Sequence, residues 1–317
     1  MLNYKETVQA FDLHSTATQM LSGSVDALNA CYECCDRHAH DDKIALYWQG
    51  KDGRKEQYTF RQLQQWSSQF ANFLKSQGVK AGDRISGLLP RTPELLVTIF
   101  AAWRIGAVYQ PLFTAFGPKA IEHRLQLAQS KLVVTDTGNR SKLDEVERCP
   151  AIVTVADQQA TQLNPEDFNF WNEVQQQPEH CDLVMRTLQD PFLLMFTSGT
   201  TGPAKPLEVP LKALLAFALY MQDAVGLREE DSFWNIADPG WAYGLYFGIT
   251  GPLFLGHAIL FYDGGFSTDS LCQIVKDYQI TNLAGAPTAY RMMMAADPAQ
   301  MAALKGQFRV VSSAGEP

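Results

Sequence analysis

No segment of this sequence is apolar for long enough to cross a bilayer. Its first 24 residues are polar and lack the hydrophobic core of a secretory signal, and the most apolar stretches further on are broken by Lys212, Gln222, Gly251, Pro252 and His257. A basic run is missing too. Lys and Arg number 26 against 34 Asp and Glu, a net charge of −8, which leaves no electrostatic footprint for nucleic acid. Cysteine is sparse, six in 317 residues, and without a secretory segment reduced thiols and a cytoplasmic location are expected. Three of the six, Cys31, Cys34 and Cys35, stand near His38 and His40. That cluster reads either as a zinc site or as small buried thiols on a helix, because Val25, Leu28, Cys31, Tyr32 and Cys35 share helical spacing. No internal repeat or low-complexity tract is present.

What is there is an ordinary globular composition, 46% apolar and 19% charged, in a chain long enough for about two domain-sized units. Strand and helix signals alternate. Residues 44–48 read as a strand, Asp52-Gly53 as a turn and Tyr58 as the returning strand. Thr59 with Gln62 forms a capping box ahead of Leu63, Trp66, Phe70, Phe73 and Leu74 at helical spacing, and Gly78 stops that helix. Strands at 85–89, 107–112 and 132–135 alternate with helices at 93–105 and 118–128. Such alternation with short links indicates an α/β fold, a mostly parallel sheet flanked by helices on both faces. The polar, Gln-rich run 158–180 marks the expected boundary. The expected units are an amino-terminal extension and helix (1–41), a first α/β subdomain (42–180) and a second (181–317).

The chemistry is expected where five apolar residues, Phe192 to Phe196, give way to hydroxyls and glycines. Gly199 and Gly202 let backbone approach a ligand, Thr197, Ser198, Thr200 and Thr201 add donors, and Lys205 adds a cation. Donors and a cation with no acid suit a polyphosphate. The common nucleotide P-loop is excluded, since Ala204 precedes Lys205 and Pro206 follows it. A solvated loop is the plain alternative.

The segment Thr197-Ser-Gly-Thr-Thr-Gly-Pro-Ala-Lys205 resembles the signature loop of the adenylate-forming superfamily, which includes acyl-CoA synthetases, adenylation domains and luciferases. The departure is Ala204-Lys205-Pro206, where that family usually has Pro-Lys-Gly. Residues 28–38, Tyr58-Thr-Phe-Arg-Gln-Leu63 and Trp103-Arg-Ile-Gly-Ala-Val-Tyr-Gln-Pro-Leu112 are similar to acetyl-CoA synthetase and its relatives. The resemblance implies two stacked, mostly parallel sheets in αβαβα layers, the large domain of such an enzyme. It implies an ATP phosphate site at Thr197, Ser198, Gly199, Thr200, Thr201, Gly202 and Lys205, and an adenine site at Gly315, Glu316 and Pro317. It further implies an acyl pocket at Trp241, Ala242, Tyr243 and Gly244, and coenzyme A contacts at Phe113 and Arg140.

The implied reaction is AMP-forming acyl-CoA synthesis from a short- or medium-chain carboxylic acid, ATP with Mg2+, and coenzyme A. The family's metal motif, hinge and small carboxy-terminal domain with its catalytic lysine are expected to be absent, so no metal ligand is assigned. A rival reading is a non-catalytic module that holds a nucleotide or coenzyme A.

Overall fold

The computed structural model describes residues 5, 6, 9, 11–156, 163–197 and 203–315. Its largest sheet has seven strands: β3 (Arg84–Leu88), β4 (Val108–Pro111), β5 (Leu132–Asp136), β6 (Ala151–Val155), β7 (Phe168–Asn169), β8 (Pro191–Phe196) and β9 (Pro206–Pro210), in the order β7-β6-β5-β3-β4-β8-β9. The first six are parallel and β9 returns antiparallel along β8. Two three-stranded sheets make the second layer of strands. One is β11 (Ile259–Asp263) with β1 (Ile44–Gly50) and β2 (Lys55–Thr59), the other β10 (Phe233–Asn235), β12 (Asn282–Gly285) and β13 (Val310–Ser313). The expected α/β class with mostly parallel sheets and flanking helices is what the chain adopts.

Helices fill the faces for legible reasons. Thr59 caps the helix Phe60–Ser76: its hydroxyl accepts from Gln62 N at 3.1 Å while Gln62 Oε1 accepts from Thr59 N at 2.8 Å. That helix buries Phe60, Leu63, Phe70, Phe73 and Leu74 against the helix Pro93–Arg104, which is buried along nearly its whole length. Each large side chain taken fully out of water there contributes about 1.5–3 kcal/mol. Gln110 on β4 accepts from Ser86 at 2.8 Å and Ser130 at 3.0 Å and donates to Arg124 O at 3.3 Å.

Two expectations need correction. The helix through Val25, Leu28 and Cys31 is instead Ala30–Cys34, opened by Asn29, because Leu28 is spent on paired backbone hydrogen bonds with Arg186. Likewise the helix that Pro210 is expected to open over 211–222 is shorter, Ala213–Leu219 running into a π turn, Tyr220–Ala224. Of the two readings of the cysteine cluster, buried thiols hold. All three are inaccessible to solvent, and the ionic partner beside Cys31 is Arg104, whose guanidinium binds Asp36 at 2.6 and 2.9 Å. A guanidinium in the middle of the cluster repels a metal ion, and no group of three metal-ligating side chains forms among the described residues.

The 180/181 division is not a division between sheets. β8 and β9 complete the sheet of the first half, whereas β1 pairs with β11 from the second. Among the described residues no helix is long and apolar enough to cross a membrane.

Candidate active site

Parallel strands bind ligands where they end, in the loops beyond their carboxyl termini. Those loops carry the predicted residues: Phe113 follows β4, Arg140 follows β5, Thr197 follows β8, Trp241 follows β10 and Gly315 follows β13. The two layers meet through side chains at this end. The Trp241 ring lies 5.5 Å from that of Phe113 and 5.6 Å from that of Phe116, and Arg91, from the loop after β3, donates to Ile236 O at 2.9 Å beyond β10.

The predicted phosphate loop lies in the chain between β8 and β9, which pair antiparallel. Thr197 N donates to Lys205 O at 3.0 Å, so these two residues face each other as its posts, with Lys205 exposed. Pro206, the departure from the signature, opens an edge strand opposite Phe196, a place where a missing N–H is tolerated. His123, on the helix Pro118–Ala128, holds the far side of the loop through Nε2 at 3.0 Å from Ala204 O. Ser198, Gly199, Thr200, Thr201 and Gly202 lie outside the described residues, as do Glu316 and Pro317.

The segment 235–244 is shaped by short-range bonds. Asn235 Oδ1 accepts from Ala237 N at 2.9 Å and Asp238 Oδ1 from Gly240 N at 2.7 Å, with Arg91 3.6 Å from the other Asp238 oxygen. Two glycines permit close approach. A Cβ on Gly240 would stand 2.6 Å from Phe113 Cα, and one on Gly244 would stand 2.2 Å from Asp238 O. Ala242 is half-buried against the main core, and Tyr243 packs beside Phe247 with ring centroids 5.9 Å apart. The hydroxyls of Tyr243 and of Ser312, on β13, are buried, and neither meets a partner in good hydrogen-bond geometry among the described residues. Burial pushes the Tyr243 hydroxyl pKa up, so it stays protonated and able to donate.

Arg140 is not brought to this group in a form that suits a phosphate. It binds Asp167 through Nε at 2.5 Å and Nη2 at 3.0 Å, and Asp144 through Nη1 at 2.6 Å. Two carboxylates against one guanidinium leave net negative charge, which disfavours a further anion at Arg140.

Sequence reading missed two arginines. Arg91 gives no motif, and its clamp on residues 236–238 depends on contacts across 145 positions. Arg124 sits in a helix as an ordinary polar position, yet its guanidinium lies 4.1 Å from the Phe116 ring centre and 5.5 Å from that of Phe196. The packing joins Phe196, Arg124, Phe116 and Trp241 in sequence, from the base of the phosphate loop to the predicted acyl wall. A cleft of about 680 Å3 opens at the other end of the second layer, where β10, β11 and β12 begin, lined by Lys43, Glu229, His257 and Tyr278 among others. Strand amino ends are not where such sheets bind substrates.

Comparison with known proteins gives a consistent result. The family model described as AMP-binding enzyme matches residues 34–317. An acetyl-coenzyme A synthetase of Bacillus subtilis (strain 168) is 33% identical over 99% of this chain and 56% of its own length. One from Magnetococcus marinus is 31% identical over 98% of this chain and 52% of its own. The crystal structure of a Brucella canis acyl-CoA synthetase superposes with a TM-score of 0.96 at 49% identity, covering all of this chain and 58% of that one. The chain thus spans about half the length of the relatives it matches. A match of this breadth, on strands whose ends gather the signature residues, makes the chain a member of the AMP-binding enzyme family and a homologue of acetyl-CoA synthetases.

Proposed function

We propose that this chain supplies the nucleotide- and acid-binding part of an AMP-forming acyl-CoA synthetase. In the first half-reaction a carboxylate oxygen attacks the α-phosphorus of ATP and pyrophosphate leaves. In the second, the coenzyme A sulfur attacks the acyl carbon and AMP leaves. The observation that carries the reading is that Thr197, Phe113, Trp241 and Gly315 follow the carboxyl ends of strands in both layers, with Lys205 facing Thr197 across the β8–β9 hairpin. Phosphoryl transfer needs mainly positioning and charge stabilisation, which the hydroxyls of 197–201 and Lys205 are suited to give the departing pyrophosphate. Gly315, Glu316 and Pro317 would lie against adenine.

Trp241, Ala242, Tyr243 and Gly244 would bound the acid, and a short or medium chain fits walls of that bulk. Phe113, already packed against Trp241, would face coenzyme A. Mg2+ would arrive on the phosphates of ATP, neutralising their charge, since it is commonly held by substrate phosphates and water. No described cluster of three acids, His or Cys offers it a cage. A cytoplasmic setting, where ATP and coenzyme A are supplied, accords with this reading.

The test is carboxylate-dependent exchange of labelled pyrophosphate into ATP, with acetate, propionate, butyrate and longer acids, on this chain and on any longer product of its gene. Exchange in either form supports the synthetase, and the best acid names its substrate. ATP binding with exchange in neither form supports the non-catalytic module instead.

A further inference from the structure

Among the described residues Arg124 is a cation without a carboxylate partner. Its Nη1 donates to Ala120 O at 2.9 Å, and none of its nitrogens meets a carboxylate among the described residues. The nearest acid on its helix, Glu122, is committed elsewhere: it pairs with Lys119 at 3.3 Å and accepts from Glu147 N at 3.0 Å. His123 is engaged with Ala204 O, on the same side as the loop. Burial lowers the guanidinium's pKa with no acid to oppose the effect, although an arginine stays charged at any ordinary pH. Arg124 is only partly buried, and a partly desolvated charge gains from an anion that replaces the water it has lost.

The surroundings say what that something is. Phe116 and Phe196 lie against the guanidinium at 4.1 and 5.5 Å, which fixes the plane of the fork while its Nε and Nη2 hydrogens meet no acceptor among the described residues. Phe196 immediately precedes Thr197, a post of the phosphate loop, and Phe116 touches Trp241. A planar, preoriented fork at such a place matches phosphate oxygens in a way that a lysine does not. Arg140, the arginine that the sequence offers for phosphate, is neutralised by Asp167 and Asp144, whereas Arg124 is free to act.

We propose that Arg124 is a phosphate-binding residue of this site, contacting a phosphate group of ATP or of coenzyme A from between Phe116 and Phe196. The inference rests on the reading of residues 197–205 as a phosphate loop, and it adds a second cation beside Lys205. Isothermal titration of the 317-residue chain with pyrophosphate, ATP and coenzyme A tests it, using the parent, Arg124→Met, Arg124→Lys and Lys205→Ala, with thermal melts to check folding. Arg124→Met is expected to weaken the contacted ligand about tenfold and Arg124→Lys less, because lysine keeps the charge but not the fork. Weakening confined to ATP and pyrophosphate identifies the nucleotide phosphates, and weakening confined to coenzyme A identifies that cofactor.

Equal binding of every ligand by parent and Arg124→Met overturns the inference and leaves the site reading intact. A parent that binds none of the three ligands, with its melt showing a folded chain, overturns both. Should Arg124→Met fail to fold, Arg124→Lys decides: parental affinity for all three ligands rejects the fork.

Discussion

Replacing Gly244 by Ala probes the tightest contact in the candidate site. The added methyl would stand 2.2 Å from Asp238 O, 2.4 Å from Asp238 C and 2.7 Å from Ala237 O, all backbone atoms with no side-chain freedom to yield. Ordinary contact begins near 3.4 Å, so the short helix Ala242–Leu245 and the 237–238 turn must separate by about 1 Å. Overpacking of this kind costs about 1–3 kcal/mol, and the better helix propensity of alanine returns up to about 1 kcal/mol. A net loss of about 1–2 kcal/mol is expected in urea unfolding, read from the midpoint at constant slope. Gly265→Ala is the matched control, since a Cβ there meets nothing within 4 Å. The displaced helix carries Ala242 and Tyr243, so in a form of the protein that performs pyrophosphate exchange the acid-dependent rate should fall about 10²-fold. Gly244→Ala as stable as the Gly265 control, or more so, would refute the steric argument.

Three further outcomes are expected. Lys205→Ala should weaken ATP and pyrophosphate more than AMP, because its charge would meet the β- and γ-phosphates; equal weakening by titration calorimetry removes that role. Asp263, at the end of β11, is half-buried, and this burial, with repulsion from Asp136 and an opposing pull from Lys51, holds its carboxyl at about 6. The folded chain therefore keeps the proton more tightly than the unfolded one, and the group's stabilising share is full below about 3.8 and lost as pH rises through 6. Solvent on its open side reduces the roughly 3 kcal/mol that such a displacement would carry to about 1 kcal/mol, so Asp263→Asn should exceed the parent by about that amount above pH 7 and match it near pH 4. A pH-independent difference between the two would contradict this. Finally, Cys31, Cys34 and Cys35 are buried and their thiols are pushed well up by that burial, so iodoacetamide at pH 8 should label none of them until denaturant is added, and purified protein should carry no zinc.

Local signals were read well where they were self-sufficient. The capping box at Thr59, the apolar run of β8 and Pro118 at the head of its helix each contain their own instruction, and the elements fall within a few residues of the reading. Signals settled by distant partners were not legible. Leu28 looks helical until Arg186 takes its backbone, and the helix after β9 turns to π geometry where Met221 meets Gly251, whose Cβ would stand 2.7 Å from its side chain. The site divides the same way. Residue types in the loop and in 241–244 announce themselves, but nothing near Arg140 announces Asp167, and nothing near Arg124 announces Phe196. Which arginine is neutralised and which is left charged is decided only when β5, β8 and the helix before β5 are assembled.

The exchange of strands between the two layers also orders events during synthesis. β1 must wait for β11, roughly 200 residues later, before its open edge is covered, and at ribosomal speeds of about 5–20 residues per second that is an interval of about 10–40 seconds. Throughout it the β1–β2 hairpin presents an unpaired strand bearing Leu46, Tyr47 and Trp48, the kind of edge that joins neighbouring chains. The nascent protein is thus open to misassembly from the completion of its first strands until β11 emerges, an interval that outlasts the synthesis of the residues around Trp241. Growth temperature and chaperone supply should govern its yield more than the stability of the finished fold.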